Sequence, residues 1–122
     1  MATIDLTSDL FSQAVDENGI LIVDFWAAWC GPCRAFAPVF QAASEAHPDI
    51  TFGKVDTEAE QQLASAAGIS SIPTLMVFRD QILVFSQPGA LSGPQLEQVI
   101  SGVNGLDMDE IRSKMAGAAA NA

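Results

Sequence analysis

The run Ile20–Trp26 (ILIVDFW) constrains the fold of this chain more than any other stretch. Its β-branched opening and nearly continuous apolar character predict a strand buried on both faces. After Ala27, Ala28 and Trp29 comes Cys30-Gly31-Pro32-Cys33, and a helical pattern runs from about Cys33 to His47. Phe36, Phe40 and Ala43 mark its buried face, and Pro38 predicts a kink inside it. A strand that passes this quickly into a helix is the first half of a βαβ unit. Thr51–Asp56 supplies its second strand, followed by a short helix over Glu58–Ala67 that Gly68 closes. Upstream, Thr7 or Ser8 caps a helix running to about Glu17, and Asn18-Gly19 ends it.

Thr74–Arg79 and Ile82–Ser86 flank Asp80-Gln81 as a hairpin, with a turn dipeptide poorer than Asp-Gly. Ser92 starts a helix through Leu96, Val99 and Ile100. A βαβ unit, a hairpin and a helix together predict an α/β fold, with a central mixed β-sheet flanked by helices on both faces. After Gly102 the pattern weakens. Asp107 and Glu110 resemble a capping box, with Met108, Ile111 and Met115 on one side of a short helix, and AGAAANA is expected to fray. Residues 1–104 are therefore read as one domain and 105–122 as a C-terminal extension, a short helix and a frayed tail.

A chain of 122 residues, 49% of them hydrophobic, can bury a core without staples or metals. The formal net charge of −10 excludes nucleic acid as a partner and keeps a small domain soluble and monomeric. The opening MATIDLTSDLFSQ has no basic residue and no long apolar stretch, so no signal peptide is expected. The longest apolar run is interrupted by Asp24 and is too short to span a bilayer. The expectation is a cytoplasmic protein with no membrane partner, and stable structural disulfides are rare in that compartment.

Three readings compete for Cys30 and Cys33. A zinc site needs at least three protein ligands, yet the chain has two Cys and one His. His47 lies about four helical turns beyond Cys33, so no metal is expected. A structural staple would close a loop too short to constrain the unfolded chain. The redox reading remains. At a strand–helix junction, unpaired N–H groups and the positive end of the helix dipole face the Cys30 sulfur, stabilising its thiolate. Gly31 permits the tight turn and Pro32 suits the first helical turn. Cys33, one turn further in, is expected to be the more buried sulfur. Asp24 interrupts an apolar strand. Desolvated there, its carboxylate has a raised pKa and can accept a proton from Cys33, directly or through a water. Lys54 on the neighbouring strand can partly compensate that charge.

VDFWAAWCGPC resembles the thioredoxin family, and so does most of the chain, from about Asp5 to Val103. WCGPC at Trp29–Cys33, Asp24 six residues before Cys30, KVD at Lys54–Asp56, IPT at Ile72–Thr74 and PGAL at Pro88–Leu91 occur in the family's order. The resemblance implies the thioredoxin fold and a protein-disulfide reductase working through a Cys30–Cys33 dithiol/disulfide cycle, with no bound cofactor. It also implies recharging by a thioredoxin reductase, a flavoprotein that uses NADPH, and disulfide-containing proteins as substrates. It puts the catalytic roles on Cys30, Cys33 and Asp24. Partner binding falls to Trp29, Gly31, Pro32, Ile72, Pro73, Gly89 and Ala90, with Trp26 packed beneath the site and Lys54 supporting it. Ile72-Pro73 would be cis, and the backbone of Ile72 would pair with the substrate chain. Two departures stand out: Ala28 lacks a charge that some relatives carry, and Arg34 stands where Lys is frequent. Rival readings are an oxidase or isomerase on the same fold and a non-catalytic binding module. Gly31-Pro32, with no His between the cysteines, favours a reducing poise over an oxidising one.

Overall fold

The computed structural model describes the backbone of residues 2–120 and the side chains of residues 2–117. In chain order the elements are β1 (Thr3–Asp5), α1 (Ser8–Glu17), β2 (Ile20–Trp26), α2 (Gly31–Ala46) and β3 (Thr51–Asp56). Then come α3 (Gln61–Ala66), β4 (Thr74–Arg79), β5 (Ile82–Pro88), α4 (Gly93–Asn104) and α5 (Met108–Ala120). The sheet has the order β1-β3-β2-β4-β5, with β1, β3 and β2 parallel and the β4–β5 hairpin antiparallel. β2 is the central strand, and Leu21, Ile22, Val23 and Phe25 are wholly buried.

Alternation along β2 divides the core between two faces. Ile22 packs with Phe36 and Phe40 of α2, Phe52 and Leu96 and Ile100 of α4. Leu21, Val23 and Phe25 pack on the other face with Leu6, Phe11 of α1 and Leu63 of α3. Each fully buried Phe contributes about 1.5–3 kcal/mol by leaving water, so these two layers fix β2 between helices. Asp24 shares the Ile22 face by the same alternation and so lies on the α2 side of the sheet.

Several boundaries depart from the sequence expectation. α2 begins at Gly31 rather than Cys33, with Cys30 as its N-cap. α3 begins at Gln61 rather than Glu58, because Asp56 Oδ1 accepts the N–H groups of Glu58 (2.9 Å) and Ala59 (3.4 Å) and holds them in a turn. β5 continues to Pro88, which lies opposite Thr74 on the outermost strand, where a missing N–H costs no ladder bond. The short exposed strand β1 was not anticipated. It matters because Leu6, just after it, fills the space over Gly53, where any Cβ would collide with the Leu6 side chain.

Asp80 and Gln81 both take positive φ (52° and 71°), the conformation a two-residue type I′ turn requires. Ser92 and Gln95 form a reciprocal capping box at the start of α4. At the other end of α4, Arg79 Nη1 donates to the carbonyls of Val103 (2.7 Å) and Asn104 (3.3 Å) in the last turn and of Leu106 (3.1 Å) just beyond it. α5 runs on into AGAAANA as far as Ala120. The expectation for residues 121–122 lies outside the described residues. Met108 is buried, and Met115 is half exposed. Among the described residues no helix is long and apolar enough to cross a membrane.

Candidate functional site

β2 delivers the chain to the top of the sheet, and α2 leaves from there. Between them Cys30 takes an extended conformation (φ −84°, ψ 112°), and its sulfur accepts the N–H of Cys33 at 3.2 Å. The sulfur itself is therefore the cap of α2, at the positive end of the helix dipole. Cys30 and Cys33 form a disulfide with their Cα atoms 5.2 Å apart. Both cysteines are almost wholly buried, at 4% and 3% exposed for Cys30 and Cys33, so residue burial does not separate them. Both belong to a small cluster with Ala27, flanked by Trp26 and Ile72.

Asp24 is 1% exposed, and neither of its carboxylate oxygens has a hydrogen-bond partner. Burial pushes its pKa from 3.8 up to about 6, while the Lys54 charge pulls in the opposite direction. Lys54 stands opposite Asp24 in the β2–β3 register. Its ammonium lies 4.9 Å from the centre of the Trp26 ring, a cation–π contact, and makes no ion pair among the described residues. Trp26 is half-buried, and its Nε1 is buried without a partner. A desolvated carboxyl with a pKa near neutrality can hold or accept a proton in this interior.

The Ile72–Pro73 peptide bond is cis, and the Ile72 carbonyl oxygen lies 3.7 Å from Cys30 Sγ. Gly89 is left-handed (φ 101°) and donates its N–H to the Pro73 carbonyl at 2.7 Å, tying the exposed Gly89-Ala90 segment to the second half of the site. Only glycine adopts that φ without strain. Trp29 is 67% exposed, the most exposed large apolar side chain of the described residues. Gly31 and Pro32 are also exposed. A groove of about 610 Å³ runs past Trp29, Cys30 and Pro32 to Gln61, Ser70 and Ile72.

Of the residues expected from sequence, Trp29, Cys30, Gly31, Pro32 and Ile72 line the groove; Cys33 is bonded to Cys30, and Pro73 follows Ile72 through the cis bond and accepts from Gly89, next to Ala90. Asp24 and Lys54 face each other in the β2–β3 register, with Trp26 under the Lys54 ammonium. Glu58 was missed. Its Oε1 accepts the Trp29 Nε1–H at 2.6 Å and fixes the indole beside the groove. No local pattern distinguishes Glu58 from the carboxylates around it, since the contact joins residues 29 positions apart. His47 caps the end of α2 and pairs with Glu97 at 2.8 Å, away from this opening.

Comparison with known proteins agrees with this geometry. The thioredoxin family model matches residues 2–102. The chain is 55% identical over 115 residues to the Streptomyces coelicolor protein named "Putative thioredoxin 2", covering 94% of this chain and 86% of that one. It is 42% identical over 103 residues to the thioredoxin of Alicyclobacillus acidocaldarius, covering 84% and 98% respectively. Among solved structures, oxidised mitochondrial thioredoxin 3 from Saccharomyces cerevisiae superposes with a TM-score of 0.76 at 30% identity, covering 82% of this chain and 94% of its own. The match over most of the chain, together with the Cys30–Cys33 disulfide at the start of α2, establishes that this chain belongs to the thioredoxin family and is a thiol–disulfide oxidoreductase that reduces protein disulfides.

Proposed function

We propose that Cys30 is the attacking sulfur, Cys33 the resolving sulfur and Asp24 the proton acceptor of a protein-disulfide reductase. The observation that carries this reading is the Cys30–Cys33 pair at the N-terminus of α2, on the sheet face that also holds the unpartnered Asp24 carboxyl. In the reduced protein the Cys30 thiolate attacks a partner disulfide and forms a mixed disulfide. Asp24 takes the proton of Cys33, whose sulfur then attacks Cys30. The reduced partner leaves, and the Cys30–Cys33 disulfide returns.

Trp29, Gly31, Pro32, Ile72, Pro73, Gly89 and Ala90 form the partner-binding surface, and the exposed indole of Trp29 supplies apolar area. Trp26 packs below, and Lys54 tempers the charge of Asp24. An NADPH-dependent flavoprotein, a thioredoxin reductase, recharges the disulfide, and the protein works as a cytoplasmic monomer. Residues 1–104 carry the activity, and 105–122 form an extension attached through Arg112, which pairs with Asp80 of the hairpin turn at 3.2 Å.

Redox poise separates this reading from an oxidase on the same fold. Equilibrated against glutathione buffers, the pair is expected near about −270 mV, a value taken from thioredoxin itself as a family expectation. A potential near about −120 mV, that of a strong oxidant, would overturn the reductase assignment.

A further inference from the structure

The basic residues of this acidic chain are few, and nearly all are engaged. Of the five Lys and Arg, Lys54 lies over the Trp26 ring and Arg79 donates to carbonyls at the end of α4. Arg112 pairs with Asp109 and Asp80, and Lys114 pairs with Glu110. Arg34 is different. It is exposed and, among the described residues, has no carboxylate within ion-pair distance.

Arg34 is nevertheless fixed in place. Its Nη1 donates to the Ala28 carbonyl at 2.8 Å, folding the side chain back from α2 onto the loop that carries Trp29 and Cys30. Its Nη2 sits where a Cβ on Gly31 would be 3.9 Å away, at the rim of the opening. Nη1 is thus held by the backbone, while Nη2 lies beside Gly31, one of the residues that line the groove. Ala28 brings no side-chain charge to neutralise it. Glu58, in the turn between β3 and α3, is committed to Trp29.

We propose that Arg34 is a specificity-determining residue, recognising a carboxylate that flanks the reactive cysteine of the partner protein. This inference rests on the reductase reading and names a substrate class within it: disulfides next to Asp or Glu. A pre-positioned guanidinium loses little freedom on pairing and presents two parallel N–H donors to a carboxylate. The surroundings oppose the same recognition at long range, because a net charge of −10 repels an acidic partner. A preference for acidic flanks must therefore come from a local contact.

The test compares two peptides that differ only in Glu or Gln beside a single cysteine, each blocked as its mixed disulfide with 2-mercaptoethanol. Reduced protein releases the peptide thiol and mercaptoethanol, and the two electrons leave as its dithiol becomes the Cys30–Cys33 disulfide. The ratio of the two rate constants cancels any change in the reactivity of Cys30 itself. The Glu peptide is expected to react about two- to fivefold faster at low ionic strength, the range of an exposed ion pair. The ratio is expected to fall toward one in about 1 M salt, where the Debye length is about 3 Å. Arg34→Gln and Ala28→Glu should each abolish it. Lys114→Gln, which changes net charge equally on distant α5, should keep it. A wild-type ratio at or below one, or an equal loss in Lys114→Gln, overturns the proposal. Failure to release thiol from either peptide would instead contradict the reductase reading and take this inference with it.

Discussion

Cys33→Ser is expected to stop turnover and to accumulate a stable mixed disulfide between Cys30 and its partner, whereas Cys30→Ser forms none. The asymmetry follows from position. The Cys30 sulfur caps α2 and accepts the Cys33 N–H at 3.2 Å, so negative charge on it is stabilised by a hydrogen bond and by the helix dipole. Cys33 lies inside the first turn, with its N–H directed at the other sulfur. Burial does not separate the two residues, so the assignment rests on the cap. Either substitution should lower protein-disulfide reduction by about three orders of magnitude or more, because the two sulfurs act as one unit. Mass spectrometry of trapped complexes checks the order. Faster alkylation of Cys33 than of Cys30 at neutral pH would reverse it.

Asp24→Asn is expected to stabilise the oxidised protein at pH 7 while slowing the step that resolves the mixed disulfide. The folded pKa of Asp24 is raised from 3.8 to about 6, so its burial opposes folding wherever the unfolded chain ionises. Below about pH 4 the carboxyl is protonated in both states and costs nothing. Between about pH 4 and 6 the unfolded chain gives up its proton and the folded one keeps it, so stability falls as pH rises. Above the folded pKa the cost levels off at about 3 kcal/mol, from 1.36 kcal/mol per pH unit. An Asn amide, also buried among groups that offer it no partner, gives back part of this gain. The net expectation is about 1–3 kcal/mol in favour of the variant at pH 7, falling by about 3 kcal/mol to zero or below near pH 3, where only the cost of the amide remains. Guanidinium unfolding at the two pH values reads it. Loss of the proton acceptor should slow resolution by about a hundredfold, the lower end of general-base catalysis. A variant less stable at pH 7, with resolution unchanged, would make Asp24 an ordinary structural carboxylate.

These expectations draw on a fold that is legible where burial leaves the chain no choice. β2, β3 and β4 have the bounds read from sequence, because an apolar run buried on both faces admits neither register slip nor early termination. Two helix starts, those of α2 and α3, depart from the sequence expectation for local reasons. A cysteine sulfur is not among the usual caps, so the role of Cys30 shows only in its contact with the Cys33 N–H. Asp56 delays α3 by binding the N–H groups of Glu58 and Ala59, a competition between side chain and backbone that the residue types alone leave open. β1 escaped notice because three largely exposed residues carry no burial pattern, and only its pairing with β3 defines it as a strand. The length of α5 is not marked by any stop signal in the sequence, and alanine, the best helix former, continues the helix to Ala120.

The site shows the same division. Asp24 announces itself as the one charge in an apolar strand, and the cysteines by their spacing after it. Glu58 and the Arg34–Ala28 contact do not, because both depend on how loops meet in space.

Reduction of insulin disulfides by this protein, in the presence of NADPH and a flavoprotein thioredoxin reductase, tests the central claim most directly. The account predicts NADPH consumption and insulin precipitation well above the reductase alone, both abolished by Cys30→Ser. NADPH consumption no higher than with the reductase alone, or consumption that survives Cys30→Ser undiminished, would contradict it.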